Sequence, residues 1–315
     1  MRFNPRARID QRQVQNREGR GGGLGGGLGG GRSGMPIPIP TGGGGRIGLG
    51  TIVVVILYVV IQSLAGNSIV PGTGDSGGQS QPSTTTGGHC RTGADANRSM
   101  DCAIDAVTNS VQDYWSHALP QQAGIRYQPI QTIKYTAQTS SACGTAQSAM
   151  GPFYCPNDRL VYIDASFMRD MLQGQLGAKG GPFALGYVLA HEYGHHVEDQ
   201  LGILRRMRTQ QGPTSDSVRI ELMADCLGGM WAKNATTTRD AQGRVFITDL
   251  SREDVARAID AAQAVGDDRI QKETAGRVDR ESWTHGSSAE RVHWFDVGFR
   301  RGSISACNTF EAAHL

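Results

Sequence analysis

"VLAHEYGHHVEDQ", residues 188–200, places three of the chain's eight histidines and a glutamate within six consecutive positions. Around it, "PFALGYVLAHEYGHHVEDQL" has a helix start in Gly181 and Pro182 and a stop in Gly202. On an α-helix positions i and i+4 share a face. His191 and His195 can therefore present two imidazole nitrogens to one tetrahedral ion, with Glu192 beside it to take a proton from water. This is the HExxH arrangement, and a chance match in a chain of this length is on the order of one in a hundred. The reading predicts one zinc ion per chain. His196 lies one residue off the metal-facing side and is expected to pack rather than to ligate.

A hydrolytic zinc takes three protein ligands and keeps a fourth position open. Downstream, "SDSVRIELMADCLGGMWAK" (215–233) reads as a second helix with Thr214 or Ser215 as N-cap and with Glu221 and Asp225 on one face. Glu221 can complete the coordination. Asp225 can accept the free ring N–H of a ligand histidine and so fix its tautomer. The competing reading, two acids on a solvated face, fits poorly with neighbours such as Leu222, Met223, Ala224 and Leu227, and with Gly228 and Gly229, which permit a close helix contact. For the electrophile that steadies an oxyanion, the sequence offers His285 in "SWTHGSS" or Tyr193. His285 precedes a helix capped at Ser287 or Ser288, where a packing role would explain it equally well. The stripe Val292, Phe295, Phe299 and the segment "SREDVARAIDAAQAV" read as scaffold.

The rest of the chain divides by composition. Of 31 basic and 29 acidic residues, eight and two fall in the first 50, so the remainder carries 23 against 27. A mildly acidic body lacks the basic footprint of a nucleic-acid enzyme. Residues 1–46, with runs such as "GRGGGLGGGLGGG", are expected to be a disordered Gly/Arg-rich cytoplasmic tail. Ile47 to Gly66 hold 20 residues without a charge, long enough to cross a hydrocarbon layer of about 30 Å as one transmembrane helix in the lipid bilayer. Arginines precede this stretch. The positive-inside bias then predicts a single-pass protein of the inner or plasma membrane, tail in the cytoplasm and domain in the periplasm or otherwise outside. Residues 67–88 form a Gly/Ser/Thr/Pro linker, and the domain is expected over 89–315. It holds all six cysteines, Cys90, Cys102, Cys143, Cys155, Cys226 and Cys307. An even count without a CxxC pair fits disulfides in an oxidising compartment. Fifteen pairings are possible; neighbour with neighbour is the expectation. "MDCAIDAVTNSVQDYWSHAL" has helical spacing at Ile104, Val107, Val111 and Trp115, whereas "TIKYTAQ" and "RLVYIDASF" read as strands.

Together "HEYGHH", "ELMADC", "SACGTAQSAMGPFYCPNDRLVYID" and "SWTHGSSAERVHWFDVGF" resemble the bacterial neutral zinc metallopeptidases, a family of membrane-anchored proteins. The chain is similar also to gluzincin peptidases in general. The resemblance implies an α+β fold, a mainly helical zincin-like domain with a small β-sheet. It also implies His191, His195 and Glu221 as zinc ligands, Glu192 as general base, Asp225 behind a ligand, and a peptide or protein substrate. The rival reading is a non-catalytic, membrane-anchored binding or assembly module with a structural zinc. Glu192 speaks against it, since a structural site has no use for a base beside an open position.

Overall fold

The computed structural model of the chain describes residues 1–17, 89–164 and 166–315. Its strands are β1 (Arg2–Phe3), β2 (Val14–Asn16), β3 (Thr132–Tyr135), β4 (Gln138–Ser141), β5 (Gly144–Gln147), β6 (Phe153–Cys155), β7 (Leu160–Asp164) and β8 (Ile247–Asp249). The longer helices are α1 (Met100–Ala123), α2 (Pro182–Gln200), α3 (Asp216–Asn234), α4 (Arg252–Ala264), α5 (Asp267–Ala275) and α6 (Ser288–Arg301). This is a mixed helix and sheet domain in which helices dominate.

Local chemistry explains where the helices begin and end. Gly181 precedes α2 with φ of 106°, a conformation open to glycine, and Pro182 supplies a fixed φ in the first turn. The Ser215 hydroxyl accepts the Val218 N–H at the start of α3, and Ser287 forms a reciprocal capping box with Glu290 at the start of α6. On α1 the stripe of Ile104, Val107, Val111 and Trp115 is fully buried. That stripe packs in one core cluster with Leu185, Leu189, Tyr193 and Val197 of α2.

The main sheet has the order β2-β3-β7-β6. β3 runs parallel to both β2 and β7, and β6 closes the opposite edge antiparallel to β7. The Gly/Pro/Cys-rich stretch between the two foreseen strands folds into the β4–β5 hairpin and into β6. Disulfides join Cys90 to Cys102, Cys143 to Cys155 and Cys226 to Cys307, neighbour with neighbour. The last one ties α3 to the C-terminal segment.

The first 17 residues correct the sequence reading. A disordered tail over 1–46 was expected, but Phe3, Ala7 and Ile9 are buried in the main core. β1 pairs with β8, and β2 pairs with β3. Composition averaged over residues 1–50 hid this, because the glycines lie beyond residue 18 and the first 17 residues contain none. Residues 18–46 of the expected tail, the apolar stretch 47–66 and the linker 67–88 lie outside the described residues. Among the described residues no helix is long and apolar enough to cross a membrane.

Candidate metal centre

Helices α2 and α3 meet at backbone distance. A Cβ added at Gly194 would stand 3.0 Å from both the Cα and the carbonyl oxygen of Ala224, so the glycine between the two motif histidines lets α3 approach. That approach brings Glu221, one turn before Ala224, against the histidines. His191 Nε2 lies 3.2 Å from Glu221 Oε2, and His195 Nε2 lies 3.5 Å from Glu221 Oε1. One ligand atom from each of the three residues lies within 4.8 Å of the others. A tetrahedral zinc with bonds of about 2.0–2.2 Å needs nitrogen and oxygen donors roughly 3.3–3.5 Å apart, and the two histidine–Glu221 separations lie close to that.

The imidazoles are held from behind. His191 Nδ1 lies 2.9 Å from Asp225 Oδ1, and His195 Nδ1 lies 2.8 Å from Glu198 Oε2. With each Nδ1 turned to a carboxylate, both Nε2 atoms are left facing Glu221, as metal-binding histidines require. Asp225 also accepts from the Tyr187 hydroxyl at 2.5 Å and from Arg291 Nε at 2.8 Å and Nη2 at 3.1 Å. Arg291 thus neutralises a carboxylate that would otherwise stand buried and charged. Burial disfavours the charged form of Asp225, yet the guanidinium and His191 hold its carboxyl below the usual range.

Glu192 lies in the field of the cluster, and the backbone N–H of Tyr154 on edge strand β6 favours its charged form. Burial pushes the Glu192 carboxyl up to about 7, against the pull of His191 and with the charge of Glu221. Burial also works against charge on His191, but Asp225 and Glu221 outweigh it and raise the ring to about 10. A histidine ligand binds zinc through a neutral ring, so a proton held by His191 competes with the ion.

His285 is held in a turn organised by Asp267. One carboxylate oxygen of Asp267 accepts the backbone N–H groups of Thr284 and His285 at 2.7 Å and of Gly286 at 3.1 Å. The other oxygen lies 3.4 Å from His285 Nδ1. Burial lowers the affinity of this ring for a proton, but the charge of Glu221, followed by Asp267, raises it overall. His285 and Glu221 are therefore electrostatic neighbours.

Tyr193 is a correction. One residue beyond Glu192 the helix has turned about 100°, and the side chain is fully buried on the sheet side, where its hydroxyl meets Thr132 Oγ1 of β3 at 2.9 Å. It braces α2 and cannot reach a substrate at the metal face. His196 packs as expected, with Nε2 2.7 Å from the Gln128 carbonyl oxygen.

Glu198, Tyr187, Arg291 and Asp267 were not foreseen. Tyr187 and Glu198 stand four residues before His191 and three after His195, so helical spacing could have singled them out. Arg291 and Asp267 act through partners 66 and 18 residues away in the chain, and no local pattern marks them. The role of Glu198 can be measured. Its carboxylate is fully buried, and the second oxygen has no hydrogen-bond partner among the described residues, so orienting His195 is the contact it does make. Glu198→Ala is expected to weaken zinc affinity by about 10–100-fold in a chelator competition. Affinity equal to that of the unchanged protein would reduce Glu198 to packing.

Two packed helices supply His191, His195 and Glu221, with a carboxylate behind each histidine and a buried glutamate alongside, and so form a candidate metal site with the donor set of an HExxH zinc peptidase. The chain belongs to the family described as "Putative neutral zinc metallopeptidase", whose model matches residues 3–310. It is 46% identical over 228 residues to the uncharacterized protein Rv2575 of Mycobacterium tuberculosis, covering 72% of this chain and 76% of that one. It is also 44% identical over 210 residues to the uncharacterized protein YpfJ of Escherichia coli, covering 65% of this chain and 69% of that one. No solved structure matches it significantly.

Proposed function

We propose that the protein is a zinc-dependent peptidase that hydrolyses peptide bonds in a protein or peptide substrate. The observation that carries this reading is the convergence of His191, His195 and Glu221 beside Glu192, a buried carboxylate. Bound zinc would polarise the scissile carbonyl and acidify the attacking water. Glu192 accepts the proton of that water and passes it to the leaving amine. Its affinity for a proton, raised to about 7, suits both transfers near neutral pH.

In this proposal His285 holds the oxyanion. Its Nδ1 is committed to Thr284 and Asp267, at 2.7 and 3.4 Å, which leaves Nε2 for the substrate. His285→Ala is expected to lower kcat by about 100-fold with zinc content and KM little changed, the pattern of a contact made mainly in the transition state. An equal loss in kcat/KM carried wholly by KM would remove it from that role. The three disulfides fit an oxidising compartment outside the cytoplasm, with the uncharged stretch 47–66 holding the protein at a membrane.

The decisive experiment compares the purified protein with a His191→Ala, His195→Ala double variant. Near one zinc per chain and hydrolysis of an unfolded protein are expected for the first, and neither for the second. Zinc retained by the double variant, or a zinc-loaded native protein without hydrolysis, refutes the proposal at the metal or at the chemistry respectively.

A further inference from the structure

The N-terminal segment is built into the domain by contacts that read its backbone residue by residue. The Asn97 side chain accepts the Phe3 N–H at 2.9 Å and donates to the Phe3 carbonyl at 2.8 Å. Asn109 does the same for Asp10, at 2.7 and 3.2 Å. Between these two clamps the Arg8 N–H is taken by Asp240 at 2.7 Å, the Gly93 N–H donates to the Ala7 carbonyl, and the Ile9 N–H donates to the Arg91 carbonyl. A Cβ at Gly93 would fall 2.0 Å from the Asn4 carbonyl oxygen, so that position is cut to receive the segment. Beyond it, β2 extends the sheet along β3, ending with the Arg17 N–H on the Lys134 carbonyl at 2.7 Å. Where the described chain resumes, Gln11 Nε2 donates to the carbonyl of Cys90, itself bridged to Cys102.

We infer that residues 1–17 and 89–315 occupy one compartment, the N-terminal segment being the resident partner of a groove that runs from β8 past Gly93 to the edge of β3. A single crossing by residues 47–66 would put a hydrocarbon layer of about 30 Å between parts that are hydrogen-bonded to each other. A shared compartment replaces a cytoplasmic N-terminus facing an exported domain with two flanks on the side where the disulfides form. It is independent of the chemistry at the metal centre.

The test uses the full chain in intact cells. Arg12, whose side chain is 89% exposed and paired with Asp10, and Arg252 at the exposed start of α4 are each replaced by Cys in separate variants. A membrane-impermeant maleimide is then applied to spheroplasts before and after lysis. Both positions are expected to react at the same stage. Reaction of Arg252→Cys before lysis and of Arg12→Cys only afterwards, or the reverse, overturns the inference. A second measurement covers the docking itself. Phe3, 1% exposed, is predicted to support the domain, so Phe3→Ala lowers the melting temperature by roughly 10 °C. A melting temperature equal to that of the unchanged protein would equally overturn it.

Discussion

Glu192→Gln is expected to lower kcat/KM on an unfolded protein substrate by about 10²–10⁴-fold while the protein keeps one zinc per chain. The amide fills the same space beside His191 but cannot accept the proton of the attacking water. None of the contacts that orient the ligands passes through Glu192, because Asp225, Glu198 and Glu221 supply them. The pH profile gives a second readout. Glu192 works in its ionised form, and its proton affinity is raised to about 7 by burial. kcat/KM should therefore rise as pH increases through the region at or below 7 and then level off, since a bound cation beside the carboxylate can only move the limb downward. Residual activity of the Gln variant should lack that limb. A variant with unchanged turnover, or one whose acid limb persists at the same midpoint, would remove Glu192 as the base.

What the sequence could show follows from the range of the forces involved. His191, Glu192 and His195 lie within one turn or so of a helix, and Glu221 and Asp225 within another, so fixed helical geometry turns spacing into proximity. The step from two helices to one site needed only small residues at the crossing, and Gly194 against Ala224 provides it. The counterion of Asp225 could not be found this way, because it comes from α6 and depends on how three helices pack. Tyr193 failed as a site residue for the converse reason. It adjoins Glu192 in sequence, but helical rotation sends it into the core beside Thr132. The first 17 residues failed through averaging: a glycine-rich neighbour diluted the signal of Phe3, Ala7 and Ile9, each of which is buried only because Asn97, Asn109 and Gly93 receive the backbone between them.

Arg291→Leu is expected to destabilise the domain by about 3–5 kcal/mol, the usual cost of leaving one partner of a buried ion pair without the other. Arg291 is 4% exposed and Asp225 fully buried, so water cannot take over from the guanidinium. Lysine is no remedy, since a single ammonium cannot match the fork that meets both oxygens of Asp225 at 2.8 and 3.1 Å. The loss should reach the metal as well, because an uncompensated Asp225 shifts the hydrogen bond that fixes His191. The sign with pH follows from the ion pair. Arg291 and His191 hold Asp225 below its ordinary range, so the stabilisation is present at neutral pH and lost in acid as pH falls through that depressed value. The gap between the two proteins is therefore widest near neutrality and narrows as Asp225 takes up a proton. Thermal melts of Arg291→Leu, Asp225→Asn and the double variant measure the coupling directly. The double variant should lose far less than the two single losses combined, because removing the charge removes the need for its partner. Strict additivity, with Arg291→Leu melting within about 2 °C of the unchanged protein, would mean that Asp225 is neutralised by some other group and that α6 contributes only packing to the metal centre.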